Sequence, residues 1–218
     1  MNKNFTLLVF DWDGTLMDSA SVIVLSIQAA CRDLHLPVPS DAAASHVIGL
    51  GLPEAIAALL PDLAPSEYAR FTESYRHHFL GENREIPLFD GVADAIKSLR
   101  EAGYLLAVAT GKGRRGLDHA LQYSGLGEFF HASRCADECF SKPHPQMLLE
   151  LMEELGVPAK QTLMIGDTSH DLQMANNAGV AALAAGYGAH PVENLAVHSP
   201  LACFDNFSDL HCWLVGNA

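Results

Sequence analysis

Positive charge is scarce in this chain: 13 lysines and arginines stand against 26 aspartates and glutamates, a formal net charge of −13 over 218 residues. A protein that grips nucleic acid needs a basic face to neutralise phosphates, so no nucleic-acid partner is expected. A small anionic substrate stays open, because a local group of positive side chains can outweigh a distant acidic surface. Long apolar runs are missing as well. None approaches the roughly 20 residues that span a bilayer, so no membrane partner is expected. The first apolar stretch is cut by Asp11 and Asp13, too early for a signal-peptide core of about 7–15 residues. Cysteine is sparse and unpaired: Cys31, Cys135, Cys139, Cys203 and Cys212 are odd in number, and no second pair completes a tetrahedral zinc site around Cys135 and Cys139. Free thiols in a reducing cytoplasm are expected.

What is present is a rhythm. Short apolar runs rich in β-branched or aromatic residues recur at Phe5–Phe10, Leu105–Thr110 and Thr162–Asp167, with weaker ones at Phe129–Arg134, Val180–Ala185 and Ala202–Asp205. Helical spacing fills the intervals Val92–Glu101, Gly116–Tyr123 and Gln146–Leu155. Strands apolar on both faces, alternating with helices, predict an α/β fold with a doubly wound, Rossmann-like parallel sheet. Between about Met17 and Leu88 the rhythm fails. Val22, Ile23, Ile27, Ala30 and Leu34 suit one amphipathic helix, and Glu54–Leu60 and Ser66–Leu80 suit two more. Too long for a simple crossover, this stretch reads as an α-helical subdomain over 17–87, inserted into a core made of 1–16 and 88–218. Its hinges are placed at Asp18-Ser19 and at Pro87 to Gly91.

In an open α/β sheet, ligands sit outside the carboxyl ends of the strands. The first strong strand ends in Asp11-Trp12-Asp13-Gly14-Thr15. Alternation sends Asp11 and Asp13 to one side and Trp12 to the other. Two such carboxylates need a cation, a shared proton or separate jobs, although aspartates also serve as turn and capping residues. The second strand ends in Thr110-Gly111-Lys112. A hydroxyl and bare backbone N–H groups there can hold a phosphate, or Thr110 can be the N-cap of the next helix. Lys142, ahead of Pro143 and Pro145, is a charge on a stiff segment or a plain surface lysine. The third strand ends in Gly166-Asp167, with Asp171 one helical turn on. That spacing suits a magnesium site, although Asp167 or Ser169 could instead cap a helix.

Taken in order, these four stretches resemble the four motifs of the haloacid dehalogenase-like hydrolase superfamily. The inserted helices resemble the small helical cap of its phosphoglycolate phosphatase-like branch, as do Phe89-Asp90-Gly91-Val92 and Ser141 to Pro145. Trp12 stands where leucine or methionine is more usual. The resemblance implies a magnesium-dependent phosphatase acting on a small phosphorylated metabolite, phosphoglycolate being the default. It implies Asp11 as nucleophile and Asp13 as general acid and base. Thr110, Gly111 and Lys142 would hold the phosphoryl group. Mg²⁺ would be bound by the Asp11 carboxylate, the Asp13 main-chain carbonyl and Asp167, with Asp171 orienting Lys142 or a metal-bound water.

Within that family, Asp13 argues against a dehalogenase, which lacks an acid there. No lysine occurs between Lys3 and Lys97, which argues against the branches whose cap lysine takes part in chemistry, phosphonoacetaldehyde hydrolases and sugar phosphomutases. The basic groups left in the insertion, Arg32, Arg70, Arg76, Arg84, His35, His46, His77 and His78, are expected mostly at the surface. The loop from His46 to Gly51 is the candidate to reach the cleft. The alternatives are a sugar phosphomutase of the same family, or a phosphoacceptor receiver-like signalling domain, which is shorter and carries no helical insertion.

Overall fold

A computed structural model of the chain describes residues 4–81 and 85–218; residues 82–84 of the proposed insertion, Arg84 among them, and the first three residues lie outside that range. Six strands form one sheet: β1 (Leu7–Phe10), β2 (Leu105–Thr110), β3 (Ala132–Cys135), β4 (Thr162–Gly166), β5 (Ala181–Ala185) and β6 (Cys203–Phe204). Every pairing is parallel, and the order is β3-β2-β1-β4-β5-β6. The α/β, doubly wound expectation holds.

Ten α-helices accompany the strands among the described residues: α1 (Ala20–Asp33), α2 (Asp41–His46), α3 (Leu52–Leu59), α4 (Tyr68–Leu80), α5 (Val92–Glu101), α6 (Arg114–Ser124), α7 (Gln146–Leu155), α8 (Ser169–Ala178), α9 (Val192–Ala196) and α10 (Phe207–Asn217). None is long and apolar enough to cross a membrane.

The period-2 geometry of β1 builds both halves of the core. Leu8 and Phe10 pack on one face with Ile96, Leu99, Leu117 and Leu210, from α5, α6 and α10. Leu7 and Val9 pack on the other with Leu148, Leu151, Leu172 and Met174, from α7 and α8. All four β1 side chains are fully buried, which is why the strand reads as continuously apolar. Burial of this kind stabilises by about 25 cal/mol per Å² of apolar surface.

Residues 20–80 hold α1 to α4 and no strand of the sheet. They bury a cluster of their own, with Ile23, Ile27, Cys31, Val47, Ile56 and Phe71 at its centre. The chain leaves the sheet and returns along paired backbones. Asp18 N–H donates to the Pro87 carbonyl at 2.9 Å and Phe89 N–H to the Leu16 carbonyl at 3.0 Å, around an antiparallel bridge between Met17 and Leu88. Arg32, Arg70, Arg76, His35 and His77 are exposed, as expected for most of the segment's basic groups; His78 is half-buried.

Two local expectations need correction. The strand expected over Phe129–Arg134 begins only at Ala132, because residues 127–129 form a 3-10 turn and Phe129 and Phe130 pack sideways onto the core. The short helix α2 has no counterpart in the expected helices, because its alanine-rich six residues bury only Ala44 and show no apolar period. Its start is marked instead by Ser40, whose hydroxyl accepts from Ala43 N–H at 3.2 Å.

Candidate active site

The strand order turns back between β1 and β4, since β2 and β3 lie on one side of β1 and β5 and β6 beyond β4. A crevice opens at the carboxyl ends of strands at such a reversal. Asp11, Thr110 and Asp167 follow or end β1, β2 and β4 and are all buried there. Lys142 reaches the same point from the loop before α7, with none of its side chain exposed.

A buried ammonium is tolerated only when paired. Lys142 Nζ lies 2.9 Å from Asp11 Oδ1 and 2.6 Å from Asp171 Oδ1. Burial alone would push its pKa down, but the two carboxylates outweigh it and hold the ammonium charged. The surface-lysine reading of Lys142 is therefore wrong. Asp171 Oδ2 accepts from the Thr168 hydroxyl at 2.7 Å and the Thr168 amide at 3.1 Å. That makes a reciprocal capping box at the start of α8, with Thr168 rather than Asp167 or Ser169 as N-cap. With both oxygens engaged, Asp171 is an ion-pair partner of Lys142.

Asp11 is buried and only partly satisfied. Its Oδ1 accepts from the Trp12 amide at 2.6 Å, whereas its buried Oδ2 has no hydrogen-bond partner among the described residues. Burial raises its pKa from 3.8 to about 7 even against the pull of Lys142, and Asp171 and Asp13 add to the rise. Asp167 is pushed well up by burial and then by Asp11 and Asp171. It is fixed by the Thr15 hydroxyl on Oδ1 at 2.8 Å and the Ala189 amide on Oδ2 at 2.7 Å.

Oxygens of Asp11, Asp167 and Asp171 lie within 4.8 Å of one another. An unpartnered buried carboxylate oxygen beside a second raised acid is a donor set that fits a hard, oxygen-seeking divalent cation such as magnesium. Asp171 belongs to this cluster by distance, but its oxygens are taken by Lys142 and Thr168.

Asp13 is turned away from that cluster. Its Oδ1 accepts from the Ser19 hydroxyl at 2.6 Å and its Oδ2 lies 2.9 Å from Lys112 Nζ. Trp12 points to the opposite side, as alternation requires, and packs edge-on to Phe130 in the core. Thr110 is not a helix cap: α6 starts at Arg114 with Gly113 at its N-cap. The Thr110 hydroxyl accepts instead from the Lys112 amide at 3.2 Å.

Gly111 has a reason beyond its bare amide. A Cβ there would meet the carbonyl oxygens of Leu50 and Gly49 at 2.5 and 2.6 Å, so the 46–51 loop lies directly over the strand end. That loop is pinned at both ends. The Gly51 amide donates to Ser141 Oγ at 2.8 Å, and the Nε2 atoms of His170 and His190 meet the His46 carbonyl at 2.8 and 3.2 Å.

Sequence reasoning assigned no site role to Thr15, Ser19, Lys112, Ala189 or His190. Thr15, Ser19 and Lys112 stand within or beside motifs that it did single out. The Gly188-Ala189-His190 turn carries no spacing signal, because it reaches Asp167 only through the neighbouring strand β5.

The chain matches the family model described as haloacid dehalogenase-like hydrolase over residues 8–185. It is 37% identical over 211 residues to the probable phosphatase IndB of Dickeya dadantii, covering 94% of this chain and 91% of that protein. It is 31% identical to a phosphoglycolate phosphatase of Haemophilus influenzae, over 96% of this chain and 98% of the other. Among solved structures, a predicted phosphoglycolate phosphatase from Haemophilus somnus 129pt superposes with a TM-score of 0.85 at 28% identity, covering 96% of this chain and 98% of that one. With acids after β1 and β4 meeting a buried lysine at the sheet's reversal point, and a family match that spans most of its length, the chain belongs to the haloacid dehalogenase-like hydrolases.

Proposed function

We propose that this protein is a magnesium-dependent phosphatase that hydrolyses small phosphate monoesters through an aspartyl-phosphate on Asp11. The observation that carries the reading is Asp11 itself: a buried carboxylate with one oxygen unpartnered, beside a lysine whose charge is secured by two acids.

In this reading an Asp11 oxygen attacks phosphorus, forming an acyl phosphate while the ester oxygen departs, so one hard step becomes two easier ones. Asp13 gives its proton to the departing oxygen and takes one back from the water that attacks the acyl phosphate. Lys142, the Thr110 hydroxyl and the Gly111 amide hold the phosphoryl oxygens, a preorganised set of charges and donors. Asp11, Asp167 and the main-chain carbonyl of Asp13 would hold the magnesium ion. When bound, the ion offsets repulsion between the carboxylates and the incoming phosphate. Residues 17–87 act as a cap subdomain whose 46–51 loop excludes bulk water from the acyl phosphate.

The 31% identical relative named phosphoglycolate phosphatase supports a small leaving group, as does the close approach of the Gly49 and Leu50 carbonyls to Gly111. The test is hydrolysis of an aryl phosphate by the purified chain. Turnover is expected with Mg²⁺, is expected to stop on adding EDTA, and should be lost in Asp11→Asn. Full activity in that variant would remove Asp11 from the role of nucleophile. A panel of phosphorylated metabolites compared by kcat/KM then identifies the substrate.

A further inference from the structure

Lys112 is a second, largely covered cation at the site, and the phosphoryl chemistry does not use it. Its side chain is 11% exposed, and Nζ lies 2.9 Å from Asp13 Oδ2. The same ammonium stands 4.6 Å from the ring centroid of Phe79, which belongs to α4 of the helical segment. Its backbone is fixed on both sides, the amide donating to Thr110 Oγ1 at 3.2 Å and the carbonyl accepting from the Ala136 amide at 3.0 Å. The side chain therefore starts just past β2 and ends between Asp13 and the helical segment.

Asp13 needs such a contact. The terminal torsion of an aspartate is broad, so a carboxylate that must meet one ester oxygen requires restraint on both oxygens. Ser19 supplies one restraint, from the N-cap position of α1. Lys112 supplies the other. A lysine stem is long and flexible and carries a point charge. An aromatic face holds such a charge by its quadrupole.

We propose that Lys112 is a positioning residue for Asp13, and that its contact with Phe79 ties protonation of the leaving group to docking of the helical segment. The inference rests on Asp13 being the general acid. As an Asp11 oxygen bonds to phosphorus, the bond from phosphorus to the ester oxygen breaks and its electron pair stays on that oxygen. The Asp13 proton then converts it to an alcohol. An aryl leaving group of low pKa departs without that proton, whereas an alkyl one needs it.

The experiment compares kcat/KM on two monoesters with uncharged leaving groups, an activated aryl phosphate and a simple alkyl phosphate, using the full chain with Mg²⁺. In Lys112→Met the alkyl ester is expected to lose at least about tenfold more than the aryl ester, within the roughly 10²–10⁴ that general acid catalysis supplies. Phe79→Leu should shift the ratio in the same direction by less, and should add nothing in the Lys112→Met background. Lys112→Arg, which keeps a cation for both partners, should recover the ratio. Equal losses on both esters, or effects of Phe79 and Lys112 that multiply independently, would overturn the proposal. A wild-type chain without Mg²⁺-dependent turnover of either ester sinks the phosphatase reading instead, and this inference with it.

Discussion

Lys142 lies closer to Asp171 than to Asp11, 2.6 Å against 2.9 Å, and the three side chains have no solvent exposure. Removing Asp171 leaves Lys142 balanced by Asp11 alone, so the loss is one charge-assisted hydrogen bond, about 1.5–3 kcal/mol. Asp171→Ala should therefore lower the melting temperature clearly. It also deletes the N3 half of the α8 capping box, about a further 1 kcal/mol. Lys142 would keep a single partner and lose its aim, so turnover should fall by roughly 10²-fold, as for loss of one preorganised donor. Thermal melts and kcat together test this. A stable, fully active Asp171→Ala would show that Lys142 needs no orienting.

Asp13→Asn keeps the shape of the side chain and removes its proton chemistry. Turnover should slow by roughly 100-fold or more. Magnesium affinity should stay close to wild type, because the Asp13 side chain faces Ser19 and Lys112 rather than Asp11 and Asp167. Calorimetric titration with Mg²⁺ separates the two effects. A large loss of affinity would move the Asp13 side chain into the metal site.

If Asp11 and Asp167 hold the proposed magnesium ion, proton and metal compete for them. Both have pKa values raised by burial, Asp11 to about 7. For a group raised on folding, the stabilisation is complete below the unfolded value, near 3.8, and is lost as pH rises through the folded value. Without metal these two acids thus weaken the fold progressively towards pH 7 and above. A divalent cation held there would bind the deprotonated pair. The rise in melting temperature on adding Mg²⁺ should therefore be larger at pH 8 than at pH 5.5. An equal or larger rise at pH 5.5 would mean that the cation binds elsewhere.

Gly111→Ala places a methyl group against the Leu50 and Gly49 carbonyls at about 2.5 Å, which backbone atoms cannot accept without moving. The 46–51 loop should lift. Roughly tenfold or greater loss of kcat/KM is expected, by analogy with small misplacements elsewhere in active sites. Stability should fall as well, because the shift disturbs the hydrogen bonds that pin the loop to Ser141, His170 and His190. Wild-type kinetics in Gly111→Ala would show that the loop's close approach is unimportant to turnover.

How far the sequence foretold this arrangement depends on where each signal is stored. β2, α5 and α7 were legible to the residue, because each is a clean apolar period bounded by a breaker. Asp11, Thr110 and Asp167 were legible because strand ends converge by topology, which alternation of strand and helix already implies. Lys142, on the loop before α7, was legible by the order of the motifs. Asp171 was legible as a partner of Lys142, but its capping role was not, since Thr168 announces no apolar run. Lys112, quoted with its motif, and Ser19, placed at a hinge, were given no site role because their significance lies in touching Asp13 from opposite sides, a relationship of three dimensions. Ala189 and His190 escaped notice for the same reason at longer range: they reach Asp167 across the sheet.

The central strand has a further consequence for how the chain is made. β1 pairs with β2, Leu7 opposite Leu105, and with β4, Leu7 opposite Thr162. Neither partner is near it in sequence. During synthesis β1 therefore waits, uniformly apolar and unpaired, until both later strands have been translated. Parallel pairing over such separations is intrinsically slow and exposes sticky edges meanwhile. The strand that presents Asp11 so firmly in the finished molecule is thus the segment most in need of protection while the molecule is being built.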